Sequence, residues 1–335
     1  LQLPVEADRA VGEEPMVEKI RVSTGTAVRL GLMKAAVRTY PTTAYLMMDS
    51  KNGCKATCAF CPQSSTSSSQ RDMLSRVVWP RYRLSDVAGQ LRQRRRFFRR
   101  VCVQTLIYDG FFRDLKDIVS ETAEVGLPIS ASCPPFSQEE FQALRDLALN
   151  SISVPVDGAT PEIYSHVKGG IHSWQDCMDA LRICLKVFGS GHVWTHLIVG
   201  LGETEEEAVG FISEMVKMGV KVALFAFTPI EGTELENRGQ PGLASYRRVQ
   251  AALTLLYSRL ARADGMVFSD GTLIDFGVSG RVLRKALSSG RAFMTTGCPG
   301  CNRPYYNERA SGPLFNFPFK PSREEVSEEL ATLGF

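Results

Sequence analysis

The sequence predicts an α/β fold in which consecutive strand–helix units form a TIM-type barrel, full or nearly full. Short runs of β-forming residues alternate with longer helical runs, which is typical of consecutive βαβ units. Such units cross over with a right hand and build a parallel sheet covered by helices. The length of 335 residues suits one barrel domain. A cysteine-rich loop follows the first strand, at the carboxyl end where such barrels carry their functional groups.

The predicted strands and helices alternate from residue 43 onward. Each strand is a short apolar run bounded by turn residues, and a longer amphipathic run follows it. The predicted strands are 43–48, 101–108, 128–131, 151–156, 193–199 and 221–228, with a weaker seventh at 266–269. The predicted helices are 84–96, 112–125, 138–149, 174–188, 204–218 and 243–262, with a further one at 281–288.

Two regions of different character flank the barrel, which is predicted to span residues 41–294. Residues 1–40 have weak helical patterning and are predicted to be an N-terminal extension that packs on the barrel. Residues 295–335 are rich in Pro, Gly and aromatic residues and are too irregular to fold alone. We expect this C-terminal tail to lie over the mouth of the barrel.

The composition, with 44% apolar and 22% charged residues, is that of an ordinary soluble globular protein. A net charge of +3 gives no reason to expect nucleic acid as a partner. No apolar run is long enough to span a membrane, and the first residues lack the layout of a signal peptide. Nine cysteines are too few for a disulfide scaffold in so long a chain. We therefore expect a cytoplasmic protein whose thiols are kept for iron.

Three cysteines, Cys54, Cys58 and Cys61, lie close together on the loop after the first strand. Thiolates at such spacing hold a metal. The C-x3-C-x2-C spacing is not that of a zinc knuckle, and no fourth Cys or His lies close by in the sequence. Three thiolates ligate three irons of a [4Fe–4S] cluster and leave the fourth iron open to a small molecule. A zinc site and a four-ligand electron carrier are the alternatives.

This cysteine pattern resembles that of the radical S-adenosylmethionine (SAM) superfamily. In that family SAM chelates the open iron, and an electron from the cluster releases a 5′-deoxyadenosyl radical. The resemblance implies that Phe60 lies near the cluster and the adenine. It also implies that Ile198 packs on the adenine and that Gly200 lets the backbone approach the cofactor, in a segment similar to the family's GxIxGxxE motif. The alternatives are an exposed loop aromatic and an ordinary βα turn.

Two polar residues extend the predicted cofactor site. Asp157 follows the fourth predicted strand, and we expect its carboxylate to accept hydrogen bonds from the ribose hydroxyls of SAM. An Asp that starts a turn is the alternative. Gln104 shares one face of the second strand with Cys102 and Leu106, and this face is expected to point into the barrel. We assign Gln104 to the cofactor site as well.

Within the superfamily, the chain resembles biotin synthases from about residue 43 to residue 235. The segments that match are 61–65, with the sequence CPQSS, 157–164 and 198–204. Biotin synthases carry a second cluster deep in the barrel, and this cluster supplies the sulfur that they insert. Two cysteines of that cluster have counterparts here in Cys102 and Cys133.

Three positions depart from the biotin synthase pattern. The third cysteine of the second cluster falls at Trp194, and the arginine that serves as its fourth ligand falls near Phe268. An Asn that contacts dethiobiotin falls at Pro155. The resemblance therefore implies a barrel of the biotin synthase type whose substrate and sulfur-donor positions have changed.

The tail contains a second pattern typical of metal sites, because Cys298 and Cys301 form C-x2-C after a glycine. Such a knuckle suits zinc or an iron–sulfur cluster. A redox-active thiol pair is a further alternative. Two thiols do not complete a cluster site. Cys102 and Cys133 would supply the missing pair if the tail folds over or into the barrel, and we expect the four to form an auxiliary cluster.

A tail of this kind on such a barrel resembles the two-subunit lipoyl synthases of archaea and some bacteria. This implies that the chain adds sulfur to an octanoyl-lysine of a carrier protein, with a second radical SAM subunit and an electron donor such as ferredoxin or flavodoxin. The 5′-deoxyadenosyl radical would remove hydrogen from an unactivated carbon, and the auxiliary cluster would donate sulfur. A biotin synthase variant acting on dethiobiotin is the alternative, and a non-catalytic iron–sulfur or zinc scaffold is an alternative of another class.

Six arginines lie within residues 92–100. Such a run is either the solvated end of a helix or a docking patch for an acidic partner, and an octanoylated carrier protein is a partner of that kind.

Overall fold

The structure, a computed structural model, describes residues 17–333. The first part of the predicted N-terminal extension, residues 1–16, lies outside the described residues. The strands are β1 (Lys19–Val22), β2 (Thr43–Met48), β3 (Met73–Leu74), β4 (Val77–Val78), β5 (Arg81–Arg83), β6 (Arg100–Gln104), β7 (Ile129–Ser132), β8 (Leu149–Ser153), β9 (Val193–Val199), β10 (Lys221–Ala226), β11 (Val267–Ser269) and β12 (Thr272–Asp275). The α-helices are α1 (Thr24–Arg29), α2 (Leu84–Arg94), α3 (Phe111–Ala123), α4 (Gln138–Asp146), α5 (Pro161–Lys168), α6 (Trp174–Phe188), α7 (Glu205–Met218), α8 (Leu243–Tyr257), α9 (Gly280–Leu287) and α10 (Arg323–Ala331).

The main sheet is built around six parallel strands, β2 and β6 to β10, which are neighbours in chain order. β1 continues this sheet beyond β2, to which it is antiparallel, and β5 pairs with β1, again antiparallel. The predicted α/β barrel is therefore confirmed. The predicted seventh strand forms as β11, but it pairs with β12 in a separate two-stranded sheet and does not extend the barrel. β11 has only three residues, none of them fully buried, and so lacks the apolar run of a barrel strand.

Local sequence places the elements that border the site. β2 is buried along its whole length, as expected for a parallel strand covered on both faces, and its carboxyl end leads into the cysteine loop. α7 begins after Thr204, whose hydroxyl accepts a hydrogen bond from the N–H of Glu207, while the Glu207 side chain accepts one from the N–H of Thr204. This capping box leaves the glycine-containing segment 200–203 as a turn between β9 and α7.

The C-terminal tail packs against both ends of the barrel: its segment 299–303 contacts the amino-terminal end, while the carbonyl of Asn307 accepts a hydrogen bond from the hydroxyl of Thr228 at the mouth (3.0 Å). The carbonyl of Gly300 accepts a hydrogen bond from the hydroxyl of Thr42 (2.6 Å), just before β2. At the other side of the sheet, the N–H of Leu224 donates to the hydroxyl of Thr296 (2.7 Å), and Arg303 donates to the carbonyl of Leu224 (3.2 Å). The tail therefore satisfies backbone groups on the open edge of β10, which another strand would otherwise pair.

Within residues 17–333, every helix is too short or too polar to cross a lipid bilayer.

Candidate cluster and cofactor sites

The loop after β2 lines a cavity at the carboxyl end of the parallel strands. The cavity has a volume of about 270 Å³, and Cys54, Cys58 and Cys61 all form part of its wall. The sulfur of Cys54 accepts a hydrogen bond from the N–H of Ile107 (3.2 Å), and the thiol of Cys58 donates to the carbonyl of Lys168 (3.5 Å). The structure thus brings the three predicted cluster ligands to one surface.

Backbone hydrogen bonds fix this loop against the rest of the barrel. The N–H of Cys54 donates to the carbonyl of Gln63 (3.0 Å), which closes the loop on itself. The N–H of Ala59 donates to the carbonyl of Val167 near the end of α5 (2.8 Å), and the carbonyl of Ala59 accepts from the N–H of Leu235 (3.1 Å). The thiols are therefore held by contacts to α5 and to the segment after β10.

Burial disfavours the charged form of these thiols. Burial raises the pKa of Cys61 to about 12, and the neighbouring thiol of Cys58 adds to the rise. Burial also raises the pKa of Cys58. Iron binds the thiolate, and the positive charge of bound metal stabilises that form.

A single metal ion does not fit this arrangement. Across residues 17–333, no three Cys, His, Asp or Glu side chains lie close enough together to hold one ion. A [4Fe–4S] cluster is wider, because each thiolate binds a different iron. The three thiols of the loop therefore suit a cluster better than zinc.

Two predicted adenine contacts lie on the same cavity wall as the cysteines. Phe60 and Ile198 both pack against the apolar cluster that contains Phe227, and both line the cavity. Gly200 follows directly after β9 with φ of +107°, and its N–H donates to the carboxylate of Glu203 (2.5 Å). These positions are compatible with the predicted contacts to SAM, which stay predictions.

Gln104 lines the same cavity and reaches beyond it. Its amide nitrogen donates to the sulfur of Cys102 (3.2 Å), on the same strand. Gln104 therefore connects the cavity of the cysteine loop with the second group of thiols.

Asp157 is buried against a lysine that sequence reasoning missed. The ammonium group of Lys168 donates to the Asp157 carboxylate (2.7 Å) and to the carbonyl of Pro155 (3.1 Å). Burial by itself would lower the pKa of Lys168, but the Asp157 carboxylate and the Cys58 thiol hold it above its usual range. The second carboxylate oxygen lies 3.8 Å from the ring of His196, and burial lowers the pKa of His196 to about 4. At neutral pH this wall of the cavity therefore carries an ion pair and a neutral imidazole.

A second group of thiols lies inside the barrel, nearer the amino-terminal ends of the strands. It consists of Cys102 on β6 and the tail residues Cys298 and Cys301. Burial raises the pKa of Cys102 to about 11 and that of Cys298 to about 12, and the thiol of Cys301 contributes to both shifts. The sulfur of Cys301 lies 3.3 Å from the hydroxyl of Tyr45 on β2. The tail thus brings its C-x2-C pair near Cys102, and the role of these thiols as cluster ligands stays a prediction.

Arg100 indicates that a negatively charged group fits this second site. Its buried guanidinium donates to Asn150 (2.9 Å) and to the carbonyl of Pro299 (3.3 Å). Its remaining nitrogen, Nη1, has no hydrogen-bond partner among residues 17–333. The charge of Arg100 opposes the effect of burial on the pKa of Cys102 and Cys298. An iron–sulfur cluster with thiolate ligands would neutralise this cation and accept the free N–H.

Cys133 lies apart from the tail pair. It follows β7, is 1% exposed, and lines the cavity of the cysteine loop. Burial raises its pKa, and the thiols that contribute further are those of Cys184 and Cys102. Cys102 contributes to the pKa of Cys298, whereas Cys133 neighbours Cys184 and Cys102, and its role as a ligand stays a prediction.

The three positions that depart from the biotin synthase pattern lie in different places. Pro155 lines the cavity of the cysteine loop. Trp194 lies on β9, with the ammonium group of Lys221 over its ring at 5.2 Å. Phe268 lies on β11, outside the barrel sheet. Phe268 therefore belongs to no strand that could place a ligand in the barrel.

Comparison with known proteins agrees with this geometry. Residues 49–215 match the family model described as the Radical SAM superfamily. A curated relative, the biotin synthase of Erythrobacter litoralis (strain HTCC2594), is 25% identical over 228 residues, which are 64% of this chain and 63% of the relative. The match thus spans less than two thirds of that relative's length.

Solved structures show the same fold. The FeFe-hydrogenase maturase HydG from Carboxydothermus hydrogenoformans gives a TM-score of 0.52 at 17% identity, covering 88% of this chain and 66% of that one. Methylornithine synthase (PylB) gives a TM-score of 0.50 at 18% identity, covering 70% of this chain and 66% of that one. At this identity the likeness concerns the fold alone.

Radical SAM proteins use a [4Fe–4S] cluster with SAM and need an electron donor, and biotin synthases also carry an auxiliary iron–sulfur cluster. The segment that matches the family model contains the complete cysteine loop, Asp157 and the turn after β9. Because the matched sequence and the barrel that presents it agree, the chain belongs to the radical SAM superfamily and is similar to biotin synthases within it.

Proposed function

We propose that this chain is a radical SAM enzyme that inserts sulfur into an octanoyl group carried on a lysine of a partner protein. The proposal rests on the presence of two groups of three thiols in one barrel. One group lies in the cysteine loop, and the other consists of Cys102, Cys298 and Cys301. Sulfur insertion needs one site that starts radical chemistry and another that supplies sulfur. Two separate thiol groups meet both needs.

In the first site, the three cysteines of the loop would hold the [4Fe–4S] cluster, and SAM would lie against Phe60 and Ile198. The chemistry that the cluster and SAM supply when bound is removal of a hydrogen atom from an unactivated carbon. Asp157 would orient the ribose hydroxyls, while Lys168 holds this carboxylate in place. The apolar side chains of Phe60, Ile198 and Phe227 would limit the access of water to the reacting carbon.

In the second site, Cys102, Cys298 and Cys301 would hold an auxiliary cluster as the sulfur source. Arg100 would balance its negative charge. Cys133 stays a predicted fourth ligand, since it is buried after β7 and its pKa is raised in part by the thiol of Cys102.

A biotin synthase variant is the second candidate, and the similarity to curated biotin synthases favours it. Pro155 and Trp194 weigh against it, because they replace a substrate-contacting Asn and a cluster cysteine of that family. A non-catalytic iron–sulfur or zinc scaffold is a third candidate, of another class.

The proposed partners are the octanoylated carrier protein, a second radical SAM subunit, and ferredoxin or flavodoxin as the electron donor. The proposed location is the cytoplasm. All nine cysteines are unpaired, as thiols that bind iron need to be.

The test is anaerobic reconstitution with iron and sulfide, followed by reduction in the presence of SAM. We expect formation of 5′-deoxyadenosine and a gain of sulfur mass on an octanoyl-lysine peptide, with and without the second subunit. Sulfur gain on dethiobiotin instead would favour the biotin synthase variant. If no 5′-deoxyadenosine forms, the non-catalytic scaffold is the remaining candidate.

A further inference from the structure

The tail residue Asn307 faces the cavity of the cysteine loop. Residues 304–306 and 308–310 line a different cavity, between the N-terminal region and the tail, whereas Asn307 lines only that of the cysteine loop. Asn307 is 7% exposed. Its carboxamide forms no hydrogen bond within residues 17–333, and neither of its polar atoms is sealed off by protein atoms. The carboxamide therefore opens onto the cavity with its donor and its acceptor both free.

Hydrogen bonds fix the backbone around Asn307. Its carbonyl accepts from the hydroxyl of Thr228 (3.0 Å) and from the amide of Gln240 (2.9 Å). The carbonyl of the preceding residue, Tyr306, accepts from the hydroxyl of Ser75 (2.6 Å). Because Thr228 follows β10, these bonds hold Asn307 at the mouth of the barrel. A ligand that binds this residue finds its backbone already ordered, which lowers the entropy cost of binding.

An apolar ligand chain has room beside Asn307. The cavity opens to solvent, since Ile171 on its wall is 41% exposed. Phe227 lines it next to Thr228, and Gln104 lines it as well. A chain whose polar end rests on Asn307 would therefore place its apolar carbons beside the cysteine loop and Gln104.

Three other polar side chains on the cavity wall are already engaged. The Asp157 carboxylate accepts a hydrogen bond from Lys168 (2.7 Å). The same ammonium group donates to the carbonyl of Pro155 (3.1 Å), and the amide nitrogen of Gln104 donates to a cysteine sulfur. Asn307 differs from these side chains, because it keeps a donor and an acceptor for a ligand.

We propose that Asn307 is a specificity-determining residue that hydrogen-bonds the amide linking an acyl chain to a lysine, with the acyl chain directed into the cavity. This inference rests on the proposed function, because it names a residue that recognises that function's substrate. The carboxamide accepts from the amide N–H or donates to the amide carbonyl. The same acyl chain carried as an ester or thioester offers no N–H, and its carbonyl is a weaker acceptor. Asn307 therefore favours an acyl-lysine over an acyl thioester.

The test compares two labelled peptides that differ only in the linkage. One carries octanoyl-lysine, and the other carries the ester analogue, in which oxygen replaces the amide N–H. Fluorescence anisotropy measures the binding of each to the anaerobically reconstituted full-length protein in the presence of SAM. The wild type should bind the amide peptide about 2- to 10-fold more tightly, which is the contribution of one hydrogen bond.

Asn307→Leu keeps a side chain of similar size and removes both polar groups. This variant should bind the two peptides with equal affinity. The ratio of the two affinities is the readout, because a partial loss of folded protein would weaken both peptides alike. Asn237→Leu is the matched control, since Asn237 is exposed and lines neither cavity, and it should keep the preference of the wild type.

Affinity and turnover separate this inference from the proposed function. Equal affinities in the wild type, a preference for the amide that persists in Asn307→Leu, or binding of neither peptide would overturn the inference. Sulfur gain on the amide peptide alongside any of these results would leave the proposed function standing. A preference for the amide that depends on Asn307, without sulfur gain, would support the inference and count against the function.

Discussion

Lys168 and Asp157 form a buried ion pair on the wall of the cysteine-loop cavity, with side chains 16% and 7% exposed. We expect Lys168→Met to lower the free energy of unfolding by about 3–5 kcal/mol, because it leaves a buried carboxylate without its partner. Asp157→Asn in the same chain should recover most of this loss. Urea unfolding of the single and double variants measures both effects. If the losses of the two single variants simply add in the double variant, the two side chains are not energetically coupled.

Glu308 should make stability depend on pH. Burial raises its pKa to about 7, from a usual value of 4.5. Between these values the folded protein holds a proton that the unfolded chain has lost, so the free energy of unfolding falls as pH rises through this range. Between pH 5 and pH 8 the free energy of unfolding of the wild type should fall by about 2–3 kcal/mol more than that of Glu308→Gln. Urea unfolding at both pH values checks this, and equal pH dependence of the two proteins would contradict it.

At the scale of elements, the turn between β9 and α7 requires glycine at position 200. Gly200 has φ of +107°, and a Cβ there would lie 2.9 Å from Cδ of Pro241 and 3.1 Å from Cβ of Phe227. We expect Gly200→Ala to lower the free energy of unfolding by about 1–3 kcal/mol, because it combines backbone strain with overlap. Glycine at position 200 is therefore needed for the geometry of the turn, in addition to the predicted close approach of SAM.

Gly210 in α7 is the matched control for this turn. A Cβ at Gly210 meets no atom within 4 Å, and its backbone is helical. Gly210→Ala should therefore raise the free energy of unfolding by about 0.5–1 kcal/mol. Urea unfolding of both variants checks the contrast. Similar effects of the two substitutions would show that crowding at position 200 is unimportant.

At the scale of the whole molecule, the tail joins a second thiol group to the barrel. Reconstituted wild-type protein should contain about eight irons per chain, as two [4Fe–4S] clusters do, and Cys298→Ala with Cys301→Ala should contain about four. The variant should still form 5′-deoxyadenosine, because the cysteine loop is untouched. Iron analysis and product assay measure the two effects.

Cys184→Ala is the control for thiol loss, since Cys184 is fully buried on α6. It should keep the full iron content. About eight irons in the tail variant would contradict the assignment of an auxiliary cluster to the tail pair.

Much of the fold followed from local patterns. The six parallel strands lie close to their predicted positions, because apolar runs such as Thr43–Met48 need burial on both faces. The sequence could not predict that β11 pairs in a hairpin, because a strand of three residues shows too little hydrophobic periodicity. The cysteine loop was recognisable because its ligands are neighbours in the sequence.

The sequence by itself determined the barrel, the cysteine loop and membership of the radical SAM superfamily, since these depend on residues close together along the chain. Only the tertiary structure decided that the tail packs into the barrel, that Lys168 pairs with Asp157, and that Tyr306 packs against Tyr45 and Trp79. Tyr45 and Cys301, which meet at 3.3 Å, are 256 residues apart in the chain. Such contacts leave no periodic signal, because they form only when the strands, helices and tail have packed together.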